Sequence, residues 1–318
     1  MENTIKIGLL GCGRVAHNHI EAIGKCKGAE VTAVAGGSHA KEFGEKYSLP
    51  VLDAEELVAS ELVDAVCVLT PPQFHYDYTM KALEAGKHVL VEKPVSFREE
   101  EIQGMDQKAK EKGRVCMPGH SYLYLPELAR IKHVMEEKRL GIPTYLYLSE
   151  TYYMVPELFQ KYTGPETDVL CHQLYLALAY LGKPEELVAF VSHTDRAEIE
   201  TGGPQVTVML KYPAGTLAQI LVSWAAEDHT SDPWTFKVKI LGSRGGTHFS
   251  RRDLVQNAGE GYEQCLYQEM FDREIDWFVE KCIKNGESPL STMEDAAWVC
   301  RLHKMVLESA ATGKVIRV

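Results

Sequence analysis

Over the first 120 residues, short unbroken apolar runs alternate with longer stretches of mixed polarity. The runs lie at Ile5–Leu10, Val31–Ala35, Ala65–Leu69, His88–Val91 and Arg114–Met117. Ala65-Val66-Cys67-Val68-Leu69 has no polar alternate position, the pattern of a strand covered on both faces. The intervals predict helices. One starts after Asp53, with Glu56 three residues on. Another runs from Gln73 to Ala85 and stops at Gly86. A third opens at Ser96, with Glu99 completing a capping box. Strands that alternate with helices predict βαβ units and a doubly wound parallel sheet.

Beyond residue 120 the period changes. A helix is predicted from Pro126 to about Arg139. Strand-like runs follow at Thr144–Met154, Leu187–Ser192, Gln205–Tyr212, Thr216–Trp224 and Thr235–Leu241. Pro213-Ala214-Gly215 joins two of them as a tight turn, so a mostly antiparallel sheet is expected. Phe271, Ile275, Phe278, Val279 and Cys282 follow helical spacing. Ser291 with Glu294 is expected to cap a last helix, whose Trp298, Leu302, Met305 and Val306 form one face. The fold class is α/β, with one domain over residues 1–120 and a second over 121–318.

Composition narrows the function classes. Hydrophobic residues at 45% and charged residues at 25% are globular values, which excludes a disordered chain. With 34 Lys+Arg against 45 Asp+Glu, the net charge of −11 argues against a nucleic-acid partner. The longest apolar run, Val169 to Leu181, is shorter than the roughly 20 residues a bilayer span needs, and the N-terminus has no basic segment before a long apolar stretch. No membrane association is expected. None of the eight cysteines forms a C-x-x-C pair, which argues for reduced thiols and a cytoplasmic location. No metal site is expected: His17 and His19 sit two apart on a predicted helix, and Cys171 beside His172 lacks further ligands.

The first candidate chemistry is Gly11-Cys12-Gly13-Arg14-Val15-Ala16, a G-x-G-x-x-A turn between a predicted strand and a predicted helix. The first glycine permits the tight turn, the second admits a pyrophosphate against backbone, and Ala16 keeps the helix close to the strand. The helix N-terminus offers N–H groups to phosphate. NAD-binding folds usually carry Asp or Glu after the second strand. Here the segment is Val34-Ala35-Gly36-Gly37-Ser38-His39, without a carboxylate. Gly36, Ser38 and His39 are therefore expected at the adenosine end of NAD(P), with a lean toward NADP and with Lys41 available to a 2′-phosphate.

Three further segments carry a resemblance. Thr70-Pro71-Pro72-Gln73-Phe74-His75 follows the run Ala65–Leu69, Ala85-Gly86-Lys87-His88-Val89-Leu90-Val91-Glu92-Lys93-Pro94 spans the run His88–Val91, and Asp168 stands four residues before His172. With the glycine turn, these resemble the glucose–fructose oxidoreductase / inositol dehydrogenase / MocA (Gfo/Idh/MocA) family over nearly the whole chain. The resemblance implies an N-terminal Rossmann domain and a C-terminal α/β domain with a large open sheet. It implies hydride transfer between nicotinamide C4 and a hydroxyl or carbonyl carbon, commonly of a sugar or polyol. It implies cofactor contacts at Thr70, Pro71, Pro72, His75, Glu92 and Lys93. It places Lys93 and His172 at the substrate with Asp168 beside them, and implies a homodimer or homotetramer formed through the C-terminal sheet. The family pattern D-x-G-x-H-x-x-D has Leu170 in place of its Gly and Tyr175 in place of its last Asp. Tyr122 stands where relatives often carry Arg. Tyr122, Tyr152 and Tyr175 are candidate substrate contacts, with Tyr124, Tyr153 and Tyr162 as further aromatic neighbours.

The chemistry of these residues supports the same reaction. Alcohol oxidation needs a base for the hydroxyl proton, and carbonyl reduction needs an acid or cation at the oxygen. Lys93 ends a predicted parallel strand, where open α/β sheets bind ligands, and Pro94 stiffens that end; a cis Lys93–Pro94 bond is one possibility. On a continuous helix Asp168 and His172 share a face, so the carboxylate is expected to orient the imidazole. Alone, a histidine in an apolar helix reads as a core residue. Two other functions compete with the oxidoreductase: a glycoside hydrolase that retains its nicotinamide, and a non-catalytic dinucleotide-sensing regulator.

Overall fold

The computed structural model describes residues 4–151, 164–193, 204–225, 236–250, 255–257, 261–263 and 265–318. The chain divides into two compact units, Met1–Leu125 with Tyr267–Cys300, and Pro126–Leu266 with Arg301–Val318.

The first unit is built on six parallel strands: β1 (Ile5–Leu10), β2 (Ala29–Ala35), β3 (Val51–Leu52), β4 (Ala65–Val68), β5 (His88–Glu92) and β6 (Cys116–Gly119), in spatial order β3-β2-β1-β4-β5-β6. The order reverses between β1 and β4, the point where a doubly wound sheet opens a crevice at its strand ends. Strand β4 is buried along its whole length, as its unbroken apolar run requires, and Cys67 pairs with Leu9 on one side and Leu90 on the other. Helices α1 (Arg14–Lys25), α2 (Ala40–Tyr47), α3 (Ala54–Ala59), α4 (His75–Glu84) and α5 (Glu99–Lys112) link the strands. Gly86 ends α4 at φ 77°, donating its N–H to Leu83 O while Lys87 donates to Ala82 O.

Three capping expectations need correction. Asp53 precedes α3 without a side-chain cap; its carbonyl accepts from Leu57 N–H. Helix α5 starts at Glu99 instead of Ser96, because the Ser96 hydroxyl accepts from Arg98 N–H at 3.0 Å in a local turn that delays the helix. In the last helix, Met293–Thr312, the reciprocal cap is one residue later than expected. Thr292 N–H donates to Asp295 Oδ2 at 2.7 Å and Asp295 N–H donates to Thr292 Oγ1 at 3.2 Å. Ser291 is engaged elsewhere, 2.6 Å from Nδ1 of His120.

A division by sequence order at residue 120 leaves out the return of residues 267–300 to the first unit. The helix Cys265–Asp276, continued by a π-helical segment Trp277–Lys284, buries Phe271, Ile275 and Phe278. Asn18 donates to Gln268 at 2.8 Å, and Lys25 pairs with Asp272 at 2.7 Å. Met293, Ala296, Ala297 and Cys300 join the same core cluster as Ile102 and Met105 of α5.

The second unit contains helix α6 (Pro126–Glu136) and a seven-stranded mixed sheet: β7 (Pro143–Thr151), β8 (Glu186–His193), β9 (Pro204–Lys211), β10 (Leu217–Ser223), β11 (Phe236–Gly242), β12 (Gly245–Ser250) and β15 (Ile316–Arg317), in order β12-β11-β7-β10-β9-β8-β15. Among the described residues, only the β7–β10 pair of this sheet is parallel. A short ribbon, β13 (Val255–Asn257) with β14 (Gly261–Glu263), stands apart from it in pairing. Residues 213–215 make the expected turn, with Tyr212 N–H donating to Thr216 O. Leu146, Leu148, Val208, Ile220 and Val238 are all fully buried and alternate with residues of the opposite face. The apolar run forms a buried helix, Leu170–Leu181. Among the described residues no helix is long and apolar enough to cross a membrane.

The junction of β6 with residue 291 yields a pH prediction. Burial, then the positive charge of Lys93, pushes the His120 imidazole down to about 3. In the unfolded chain the ring takes a proton near pH ~6.5. Between these values the unfolded state binds more protons, so stability falls with acidification. One such histidine removes about 2 kcal/mol between pH 7 and pH 5. Urea denaturation of His120→Gln should show a smaller acid loss than the wild type; equal slopes against pH would contradict this.

Candidate active site

The glycine turn sits at the carboxyl end of β1, and its shape depends on a missing side chain. Gly11 has φ 110°, and a Cβ there would lie 2.6 Å from both the carbonyl carbon and oxygen of Leu69. Its N–H donates to Ala35 O at 2.8 Å. Gly13 is the N-cap of α1 with no side-chain cap, and a Cβ there would meet nothing within 4 Å. The first turn of α1 thus faces open space, the cradle a pyrophosphate requires. Ala16 is buried against the sheet, while Arg14 is exposed and Val15 half-buried. Cys12 is buried, its Sγ 3.7 Å from Ala35 O, and burial pushes its thiol up to about 11, so it serves as backbone spacer and small apolar contact.

Beyond β2, Gly36 and Gly37 have φ 80° and 84° and run beside the glycine turn; a Cβ on Gly36 would lie 3.5 Å from Gly11 N. Ser38 and His39 are exposed. The sequence shows no carboxylate directly after the strand, but α2 brings Glu42 to 3.8 Å from His39 Nδ1. Helical i,i+3 spacing from His39 is the signal that finds it.

Thr70, Pro71 and Pro72 leave β4, the first and last half-buried and Pro71 exposed. His75 is fully buried, with Nε2 2.6 Å from Thr70 O and Nδ1 3.1 Å from Pro94 O. It packs the loop after β4 against the loop after β5; in its neutral form the ring donates to one of the two carbonyls and lies against the other. Burial holds its pKa below the usual value against the pull of those carbonyls.

The Lys93–Pro94 bond is cis. Glu92, just before it, is buried; its Oε1 lies 3.0 Å from His19 Nε2, and its Oε2 accepts from Lys93 N–H at 2.9 Å. Burial alone would raise this carboxyl. The hydrogen bond and charge of His19, with the charge and N–H of Lys93, outweigh that and hold it below its usual value. Glu274, also fully buried, is driven well up by burial and then by the charge of Glu92. His19 and Glu274 belong to this site although the sequence offered only a helix position for each. Their partners are remote in sequence, and no spacing rule reaches them. Lys93 itself is half-buried. Tyr122 and Tyr124 are buried on the short helix Ser121–Tyr124, and Tyr124 donates to Met117 Sδ. Tyr152, Tyr153 and Tyr162 lie outside the described residues.

In the second unit, Asp168 and His172 are not on one continuous helix. Asp168 ends a four-residue helix, Pro165–Asp168, and Val169, at φ −101° and ψ −41°, separates it from Leu170–Leu181. Within the longer helix, Nδ1 of His172 is 2.8 Å from the hydroxyl of Tyr175, with the rings edge-on at 72°. Leu170 is fully buried. Gln173 beside it donates to Glu150 Oε2 at 2.9 Å. Among the described residues no cluster of three or more His, Cys, Asp or Glu is placed to hold a metal.

These arrangements have relatives. The model of the oxidoreductase family with NAD-binding Rossmann fold matches residues 5–120, and that of the GFO/IDH/MocA C-terminal domain matches residues 128–248. The chain is 26% identical to a scyllo-inositol 2-dehydrogenase (NAD(+)) of Bacillus subtilis, over 93% of this chain and 91% of the relative. It is 26% identical to a 1,5-anhydro-D-fructose reductase of Ensifer adhaerens, over 98% of each. The fold matches a myo-inositol dehydrogenase from Corynebacterium glutamicum with a TM-score of 0.83 at 21% identity, over 99% of both chains. The chain belongs to the Gfo/Idh/MocA family of oxidoreductases.

Proposed function

We propose that this enzyme is an NAD(P)-dependent dehydrogenase or reductase of a sugar, polyol or related small molecule. The observation that carries the reading is the uncapped, open start of α1 at Gly13, at the end of the sheet whose strand β5 is followed directly by Lys93. Residues Gly11 to Ala16 would hold the pyrophosphate, and Gly36, Ser38 and His39 the adenosine end. Thr70, Pro71, Pro72 and Glu92 would line the nicotinamide side. His75 would act there through the carbonyls it packs against, because both its nitrogens face backbone. Bound NAD(P) supplies the hydride chemistry at nicotinamide C4.

The protein supplies the proton and the geometry. Lys93 exchanges a proton with the substrate oxygen, as an ammonium in reduction and as an amine in oxidation. Its backbone is held by the Glu92 carboxylate, which is itself fixed by His19. His172 is the proposed substrate contact of the second unit, with Asp168 as its neighbour in the chain. Tyr122, Tyr152 and Tyr175 are the proposed aromatic contacts of the substrate region.

Two finer points belong to the same reading. The exposed Ser38 and His39, with Lys41 on α2, favour NADP over NAD at the ribose. The sheet of the second unit pairs Tyr147, Gln219, Met209, Val188 and Lys239 across one face, with Phe190 67% exposed on it. Such a face is suited to a homodimer or homotetramer contact. The buried thiols fit a cytoplasmic enzyme, which cell fractionation would read.

The central test is nicotinamide absorbance across a panel of sugars, polyols and ketones with both cofactors. Lys93→Ala and His172→Ala should each lower kcat by about 100-fold or more while dinucleotide Kd stays nearly constant; near wild-type turnover in both would overturn the assignment. On the best substrate, kcat/KM should favour NADP, and a large preference for NAD would reverse that point. Sedimentation should give a mass of two or four chains. A monomer at micromolar concentration would remove the sheet contact.

A further inference from the structure

The second unit contains a cleft of about 630 Å³ that the proposed reaction does not use. We propose that it is a second binding site, for a small organic anion: a phosphate, phosphonate or carboxylate group carried on an apolar ring or acyl body.

The charge comes from three cations. Lys132 lies on α6, Lys138 follows the end of that helix, and Arg244 stands in the turn between β11 and β12. Among the described residues, none of these three side chains takes part in an ion pair or a hydrogen bond, in a chain whose net charge is −11. Their neighbours behave otherwise: His133 and Arg139 are both claimed by Glu137, at 3.2 and 3.8 Å. Glu136 also lines the cleft, so its cations outnumber its carboxylates three to one. Lys132 is half-buried, which strips water from its stem and strengthens its pull on an anion. Lys138 holds φ 56°, a left-handed conformation that costs a lysine energy and that glycine adopts freely.

The body of the ligand is asked for by the other wall. Met135 of α6, Ala179 in the last turn of the helix Leu170–Leu181, and Ile142 line it, and Ile142 is 67% exposed. Covering such a side chain with an apolar group is favourable. A bare phosphate would leave this wall wet, and an uncharged ring would leave the cations without a partner. The volume falls in the range of roughly 300–1,000 Å³ usual for small-molecule sites.

The cleft is also held in shape. Ser243 N–H donates to Ile142 O at 2.9 Å, Ile142 N–H donates to Ser243 Oγ at 3.0 Å, and Arg244 N–H donates to Leu140 O at 2.9 Å. Gly141, at φ 75°, is packed so closely that a Cβ would collide with Ser243 Oγ and lie 3.1 Å from Arg244 Cγ. The buried Tyr180 hydroxyl donates to Leu128 O at 3.3 Å and ties the helix to α6. Walls fixed in advance lose less entropy when a ligand arrives.

Isothermal titration of the full chain with phenylphosphonate tests the site, with saturating NADP present to occupy the glycine turn of the first unit. Inorganic phosphate and benzyl alcohol, each carrying one half of the probe, should bind at least about tenfold more weakly. The double variant Lys132→Met, Arg244→Met should weaken phenylphosphonate by about tenfold or more. Ala179→Phe, which fills the cleft and leaves its charges intact, should abolish binding. Circular dichroism like that of the wild type shows that each variant folds. Phosphate binding as tightly as phenylphosphonate, wild-type affinity in either variant, or no binding at about 10 mM probe, would overturn the inference.

Discussion

Where β1 and β4 end, the chain passes against itself at a distance that no side chain allows. Gly11 lies so close to the Leu69 carbonyl that a Cβ would fall 2.6 Å from it. From this crossing the rest of the first unit's site follows by contact. It fixes the direction in which α1 leaves and so where its uncapped amide groups point. It also fixes Leu69 and Thr70, whose carbonyl lies against His75; the same ring lies against the Pro94 carbonyl. Pro94 is bonded to Lys93. A steric constraint at one strand end thus reaches the ammonium at another through a continuous set of short contacts.

Charge is managed in the same place. A buried carboxylate is costly unless it is paired and hydrogen-bonded. Glu92 meets this with His19 and the Lys93 amide, and burial beside it pushes the neighbouring Glu274 carboxyl up. The arrangement ties the Glu92 carboxylate to the backbone of Lys93. Removal of His19 would leave that charge uncompensated in the core, a larger disturbance than loss of a surface pair.

Much of this was legible in the amino-acid order, and the limits have physical causes. The five apolar runs of the first sheet gave their strands to within two residues, because strands buried on both faces leave no polar position to blur the pattern. Caps were less legible. Ser291 and Thr292 are both eligible hydroxyls, and only the claim of His120 on Ser291 decides between them. The glycine turn stands out because its chemistry is local. His19 and Glu274 do not, because each acts on a residue far along the chain. The return of residues 267–300 was hidden likewise, since helical periodicity shows that a face is apolar but not which core it joins.

The turn after β2 has an evolutionary consequence. Ser38 and His39 are exposed and support no packing, while the glycines before them give the backbone its path. With these two residues at the adenosine ribose, as proposed, drift at them would retune the enzyme between the catabolic and the biosynthetic redox pools of a cell at almost no cost to folding. A lineage could cross from one metabolic economy to the other by point changes on its outermost rim.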